Sequence, residues 1–225
     1  MSRREISKES ETETKRAPLS PELVRSRLKK FGAEIPDPLA DEIIAYVDLL
    51  VRWNQKISLT SITDPLLLVE RHFGESFFGA ITLGINSGNL LDVGSGAGFP
   101  ALPIAMLCPG VKETLLEPNG KKAAFLSEIC RRMGLSGRVE VIRCRLEEFP
   151  PAGKFTFITS RAVRVTERFL RQCAQLLAPN GRLVLWVGQN EVRAATENSG
   201  WIWNVPVKIP GSEQRHVISG AVKSI

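Results

Sequence analysis

The sequence has few cysteines and histidines. Its four cysteines are scattered along 225 residues without a Cys-x-x-Cys pair, and two histidines are too few to complete a metal site with them. We therefore expect neither a disulfide framework nor a bound metal. The cysteines are interpreted as reduced core thiols, at Cys108, Cys130, Cys144 and Cys173.

Long apolar segments are also lacking. No apolar run approaches the roughly 18 residues that a membrane-spanning helix needs. Residues 1–17 are polar and of mixed charge, without the apolar centre of a signal peptide, and are predicted to be a disordered tail. These features predict a cytoplasmic protein that has no membrane partner.

What is present is the composition of a globular protein with a modest excess of positive charge. Apolar residues make up 43% and charged residues 24%, and the length suits one large domain with a small appendage. The net charge of +6 favours binding to a polyanion such as RNA, although it is also typical of a soluble protein with no such partner.

Residues 18–85 are predicted to form an N-terminal helical subdomain. Ser20 followed by Pro21 is a helix start, and Gly32 is a stop. A second helix is indicated by apolar residues three to four positions apart, namely Leu39, Ile43, Val47, Leu50 and Trp53. Two further helices are predicted over 65–72 and 76–83.

Residues 86–225 change to alternating strands and helices. Strands are predicted over 89–93, 112–116, 139–143, 155–159, 182–187, 201–205 and 216–222, and helices over 100–107, 121–133 and 167–177. This alternation predicts an α/β fold with a mostly parallel, doubly wound, seven-stranded sheet, whose last two strands form an antiparallel edge. The N-terminal helices are then an extension of this domain.

A glycine-rich loop follows the first predicted strand. Gly94, Gly96 and Gly98 allow a tight turn and close approach of a ligand to the backbone, and Pro100 opens the next helix. A dinucleotide fingerprint would place the third glycine at Phe99. The observed spacing instead resembles motif I of the class I methyltransferases, which bind S-adenosylmethionine on a Rossmann-like domain.

Two acidic strand ends are candidates for the rest of a cofactor site. Glu117 ends the second strand and follows Gly94 by 23 residues, near the spacing at which a carboxylate binds ribose hydroxyls. Leu146 and Glu147 follow the third strand, where methyltransferases hold adenine. Either acid could instead be an ordinary solvated side chain.

Several further segments resemble the glucose-inhibited division protein B family. The matches lie at 91–100, 120–126, 159–163 and 177–183, with Trp53-Asn54 and Arg71-His72 upstream, and the resemblance covers roughly 41–188. It implies methylation of guanine N7 in 16S ribosomal RNA, free or in the small ribosomal subunit. It also implies cofactor contacts at Gly94, Phe99, Glu117, Pro118, Asn119, Leu146, Glu147 and Arg161. The chain departs from the family pattern at Ser58, Thr156 and Val187.

Methylation of guanine N7 requires no general base, because N7 carries a lone pair and no proton. Arg161, after the fourth strand, is the candidate catalytic residue that positions the acceptor, since a guanidinium offers a planar fork of donors. It could alternatively pair with Glu147 or Asp92. His72 is a weaker candidate near the acceptor, with a structural role as the alternative.

Three other functions remain open at this stage. The N-terminal helices could enclose a small acceptor molecule in a small-molecule methyltransferase, or the chain could bind adenosylmethionine without catalysis. A nicotinamide oxidoreductase is disfavoured by the glycine spacing. We expect the protein to act as a monomer.

Overall fold

The computed structural model describes residues 19–150, 154–161 and 163–223. The predicted disordered tail, 1–17, lies outside the described residues. The described chain begins with five helical elements, α1 Pro21–Lys29, α2 Asp37–Asn54, α3 Pro65–Leu68, a π-helix Val69–Gly74 and α4 Glu75–Leu83. Strands and helices then alternate in the order β1 Ser87–Val93, α5 Ala101–Leu107, β2 Gly110–Leu116, α6 Gly120–Arg132, β3 Val139–Ile142, a 3-10 turn Leu146–Glu148, β4 Phe155–Arg161, α7 Glu167–Leu176, β5 Leu177–Gly188 and α8 Gln189–Thr196. Three strands end the fold, β6 Trp201–Trp203, β7 Val207–Lys208 and β8 Arg215–Val222.

The first two helices follow from local sequence signals. The Ser20 hydroxyl accepts a hydrogen bond from the Leu23 amide at 3.3 Å, and Pro21 occupies the first turn of α1, as predicted. Helix α2 buries Ile43, Val47 and Leu50 of its predicted stripe. The stripe therefore identified the face that packs against the rest of the protein.

The helices predicted over 65–72 and 76–83 are one continuous helical segment. The predicted break coincides with the π-helix Val69–Gly74, whose wider turn does not follow the 3.6-residue period. A Cβ atom on Gly74 would lie 2.4 Å from the Phe31 ring. Glycine is therefore required where α1's end packs on this turn.

The sheet has the order β3-β2-β1-β4-β5-β8-β6, with β7 also paired to β8. Strands β1 to β5 are parallel, and β8 is antiparallel to β5, β6 and β7, so the mostly parallel sheet with an antiparallel edge is confirmed. The predicted number of seven strands is wrong. Val207–Lys208 adds an eighth, and helix α8 was also not predicted.

Apolar clusters cover both faces of this sheet. One extends from α1 and α2 through α4, α5 and α6, so it joins residues of the predicted helical subdomain to the sheet. The other packs α7 and α8 on the opposite face. The division into 18–85 and 86–225 remains a prediction.

The cysteines are free thiols, with Cys108, Cys130 and Cys173 buried as predicted and Cys144 only half-buried. Within the described residues, no helix is both long enough and apolar enough to cross a bilayer. The same residues contain no group of three or more metal-ligating side chains of the His, Cys, Asp and Glu types.

Candidate functional site

The glycine loop joins the carboxyl end of β1 to α5. Gly94, Gly96 and Gly98 have φ angles of +74°, +58° and +91°, which glycine adopts without steric cost. The amides of Gly94 and Ser95 both donate to the Leu116 carbonyl, at 3.0 and 3.1 Å. The loop is therefore fixed against the end of β2, where the next candidate residues follow.

A cavity of about 290 Å³ lies beside this loop. It brings together four of the predicted cofactor residues, Gly94, Pro118, Leu146 and Glu147. A Cβ atom on Gly94 would lie 3.0 Å from the Val163 side chain, which lines the same cavity. Any side chain at position 94 would therefore reduce the free space between the loop and Val163.

Gly98 and Phe99 face the interior. A Cβ atom on Gly98 would lie 2.3 Å from the Tyr46 hydroxyl, and Phe99 is stacked between Tyr46 and His72 at centroid distances of 5.4 and 4.4 Å. The Tyr46 hydroxyl donates to the Ala97 carbonyl at 2.7 Å. Their predicted cofactor contacts are untested, and their observed contacts hold the loop against the N-terminal helices.

Glu117 and Asn119 organise the end of β2. The Glu117 carboxylate accepts hydrogen bonds from the Gly96 amide and the Asn119 amide, both at 2.8 Å, and the residue is 5% exposed. The Asn119 side chain caps α6 by accepting from the amides of Lys121 and Lys122. Glu117 thus lies at the predicted strand end and is hydrogen-bonded to Gly96, the second glycine of the loop.

Arg161 ends β4 and pairs with neither predicted partner. Its Nη1 donates to the Arg71 carbonyl at 2.9 Å, and its Nη2 lies 3.4 Å from Glu75 Oε2. Burial lowers the pKa of its guanidinium, and Glu75 opposes this effect. Glu147 instead lies 3.9 Å from the exposed Arg168. The predicted alternatives of Glu147 and Asp92 as ion-pair partners are therefore wrong.

Asp92 is buried before the glycine loop. Its Oδ1 accepts a hydrogen bond from the Thr159 hydroxyl at 2.7 Å, and burial raises its pKa to about 6. This hydrogen bond joins the end of β1 to β4.

A second cavity, of about 530 Å³, adjoins the first and shares Val163 and Arg164 with it. Its charged lining is formed by Arg71, Glu75, Arg161, Arg164, Glu191 and Arg215. Glu75 and Arg215 were not singled out from the sequence. Neither residue has a local sequence signal, because Glu75 follows directly on a π-helix and Arg215 contacts it from a distant strand.

His72 lies beneath the glycine loop and lines neither of these two cavities. Its Nε2 is 3.0 Å from the Thr60 hydroxyl, and its ring is stacked on Phe99. Burial lowers its pKa to about 3, so the imidazole is neutral near pH 7. The geometry favours the structural alternative for His72.

Comparison with known sequences identifies similar proteins over most of the chain. A family model described as rRNA small subunit methyltransferase G, GidB, matches residues 40–216. A ribosomal RNA small subunit methyltransferase G of Stenotrophomonas maltophilia is 36% identical over 185 residues, covering 80% of this chain and 86% of that protein. One from Alkalilimnicola ehrlichii is 31% identical over 212 residues, covering 92% and 94%.

Solved structures share the fold at low sequence identity. A SAM-dependent methyltransferase from Aquifex aeolicus matches with a TM-score of 0.59 and 19% identity, over 71% of this chain and 94% of that one. A glycopeptide N-methyltransferase, MtfA, complexed with S-adenosyl-L-methionine matches with a TM-score of 0.55 and 12% identity, over 66% and 87%. These likenesses confirm the predicted Rossmann-like α/β fold.

Proposed function

The chain belongs to the rRNA small subunit methyltransferase G family, and on that premise we propose that it methylates N7 of a guanosine in 16S ribosomal RNA. The matched residues, 40–216, include the loop beside the first cavity and the arginines of the second. Membership also supports this function over the alternatives of a small-molecule methyltransferase, a non-catalytic binding protein and a nicotinamide oxidoreductase.

The residues of the first cavity fit S-adenosylmethionine. When bound, this cofactor supplies a methyl group that is already activated as a sulfonium. Gly94 permits close approach to the main chain, and Pro118 and Leu146 offer apolar surface for a purine. Glu147 lines the same space. Glu117 follows β2 next to this lining, and it is the proposed ligand of the ribose hydroxyls through the lone pairs that the Gly96 and Asn119 amides leave free.

The second cavity suits an acceptor that needs orientation and no deprotonation. Guanine N7 has no proton to lose, and the histidine packed beneath the loop lines neither of the two cavities. Arg161 is proposed to position the acceptor through the guanidinium donors that Glu75 and the Arg71 carbonyl leave free. Orientation in a site that excludes water contributes roughly 7–11 kcal/mol in favourable cases.

The observation that carries this function is the junction of the two cavities at Val163 and Arg164. One cavity adjoins the glycine loop, and the other is lined by arginines that suit a polyanion. A methyl donor and a nucleotide acceptor could therefore meet at the carboxyl ends of the strands, where ligands bind in open α/β sheets.

The test is to map N7-methylguanosine in ribosomal RNA from cells with and without this protein. One modification should be lost, and purified protein with labelled adenosylmethionine should restore it to unmodified small subunits. Arg161→Gln should abolish that transfer, whereas Arg171→Gln, at an exposed ion pair on α7, should not. An unchanged map would reject the function, and label confined to metabolites would favour a small acceptor.

The proposed assembly state is a monomer. Light scattering during size-exclusion chromatography should give a mass near 24.8 kDa. The proposed location is the cytoplasm, where ribosomal RNA would be encountered. A dimer with shared site residues would contradict the first proposal.

A further inference from the structure

Three arginines surround one buried carboxylate in the second cavity. Glu75 is 1% exposed, and its Oε1 lies 2.9 Å from Arg71 Nε and 2.9 Å from Arg215 Nη2. Its Oε2 lies 3.4 Å from Arg161 Nη2. The arginines come from the π-helix, β4 and β8, so three separate elements converge on one side chain. We call these four residues the arginine cluster.

The cluster leaves positive charge without a partner. Its three guanidinium groups face a single carboxylate, so the four residues carry a net charge of +2. Arg164 and Glu191, which also line the cavity, add no further net charge. Positive charge in a partly desolvated cavity is unfavourable unless an anion accompanies it. In agreement, burial and the neighbouring Arg71 and Arg215 lower the pKa of Arg161.

Free hydrogen-bond donors accompany this charge. Arg215 uses its Nε and Nη2 groups on Glu75, and Arg161 uses one N–H on the Arg71 carbonyl and one group towards Glu75. A guanidinium carries five N–H donors, so each arginine keeps some for a ligand. The planar fork of an arginine matches the oxygens of a phosphate group.

We propose that the arginine cluster binds a backbone phosphate next to the target guanosine, with Glu75 as the positioning residue that holds the three guanidinium groups. The inference rests on the proposed function and deepens it, because it names the part of the RNA that this cavity holds. A phosphate explains the net positive charge of the cluster better than the methionine end of the cofactor does, because the charges of the ammonium and carboxylate groups at that end cancel.

Such a contact also suits the chemistry of the acceptor. Guanine becomes cationic when N7 is methylated, so unpaired arginines close to the base would oppose the reaction. A backbone phosphate carries one negative charge, so it lowers the net charge of the cluster from +2 to +1 and fixes the nucleotide through its backbone. The base is then free to point towards the first cavity, which meets the second at Val163 and Arg164.

The first experiment uses the unaltered protein saturated with S-adenosylhomocysteine. Guanosine 5′-monophosphate should bind at least about tenfold more tightly than guanosine, because hydrogen bonds to charged groups are the stronger kind. The ratio of the two affinities should fall as the concentration of potassium chloride is raised. Equal affinities for the two compounds would overturn the proposal, whatever the outcome of the ribosomal RNA assay.

The second experiment compares Arg215→Gln with Arg215→Lys on unmodified small subunits. The glutamine variant should raise KM about tenfold or more and reduce the slope of log KM against log salt by about 0.7 to 0.9. The lysine variant should restore the salt slope, since it keeps the charge. Arg193→Gln, at an exposed ion pair on α8, is the matched control and should change neither quantity.

Two further measurements separate phosphate binding from other roles of the cluster. The affinity of Arg215→Gln for S-adenosylhomocysteine should stay within about twofold of the unaltered protein. If Arg215→Gln instead lost much of its affinity for S-adenosylhomocysteine while its KM for small subunits stayed unchanged, the cluster would bind the cofactor's carboxylate, and the proposal would be overturned. Glu75→Gln should raise the KM for small subunits although it adds net positive charge, because the guanidinium groups lose the residue that positions them. A lower KM would show that net charge alone determines RNA affinity and would overturn the positioning role of Glu75.

Discussion

Replacing Gly94 with alanine tests whether the first cavity holds the cofactor. Gly94 has a φ of +74°, and a Cβ atom there would lie 3.0 Å from the Val163 side chain. Two separate costs follow. The left-handed backbone destabilises the fold by about 1–2 kcal/mol for a residue with a side chain. The added methyl group also crowds the space between Gly94 and Val163, which costs about 1–3 kcal/mol when a ligand must fit there.

The second cost should appear as weaker cofactor binding. Because 1.4 kcal/mol corresponds to a factor of ten, the Kd for S-adenosylhomocysteine should rise about 5- to 150-fold in Gly94→Ala. Isothermal titration calorimetry measures this Kd, and thermal unfolding measures the strain. The two readouts together separate a filled cavity from a weakened fold.

Gly134→Ala is the matched control. Gly134 follows α6 with a φ of +65°, and a Cβ atom there would meet no heavy atom within 4 Å. It should lose about the same stability as Gly94→Ala and bind the cofactor normally. Wild-type affinity in Gly94→Ala, or an equal loss of affinity in both variants, would refute the placement of the cofactor.

Two further predictions concern buried polar groups. Tyr46→Phe removes the 2.7 Å hydrogen bond to the Ala97 carbonyl and should lower the free energy of unfolding by about 1–3 kcal/mol in a urea titration; no change would contradict a structural role for that bond. Glu113 is 3% exposed with no hydrogen-bond partner among the described residues, and burial raises its pKa well above 4.5. The wild type should therefore lose stability as pH rises above 4.5, by up to about 1.4 kcal/mol per pH unit until the folded-state pKa is reached. Glu113→Gln does not titrate, so its advantage in melting temperature should grow from pH 4.5 to pH 7; a constant difference would contradict the pKa shift.

The loop and its setting could be predicted because local patterns determine them. Gly94 and Gly96 lie in a short glycine repeat between an apolar strand and a helix, and Glu117 follows at the end of the next parallel strand. Parallel strands bring these ends to one edge of the sheet. The cavity beside Gly94, Pro118 and Leu146 is a consequence of that geometry.

The arginine cluster could not be predicted because its contacts are not local. Glu75 and Arg215 are 140 residues apart in sequence. Glu75 also follows directly on a π-helix, where the 3.6-residue period fails, so the sequence did not reveal which face it occupies. Strand Val207–Lys208 was missed for a related reason, since two residues carry no periodicity.

Gly98 shows that a glycine of such a motif can be needed for packing inside the protein, whether or not it also contacts the cofactor. The glycine spacing predicted cofactor contacts at all three positions, yet a Cβ atom on Gly98 would meet the Tyr46 hydroxyl at 2.3 Å. Glycine is required there by the φ of +91°, by the nearby Leu102 side chain, and by Tyr46 in a helix distant in sequence. Spacing alone does not distinguish a glycine that makes room for a ligand from one that makes room for a neighbouring side chain.

The hydrogen bond from Tyr46 to Ala97 also limits how such enzymes can be recombined. A chimera that exchanges the leading helices of two relatives would also exchange the residue that holds the recipient's glycine loop in place. Donor and recipient would have to agree at Tyr46, His72 and Phe99 before such a graft could retain affinity for the methyl donor.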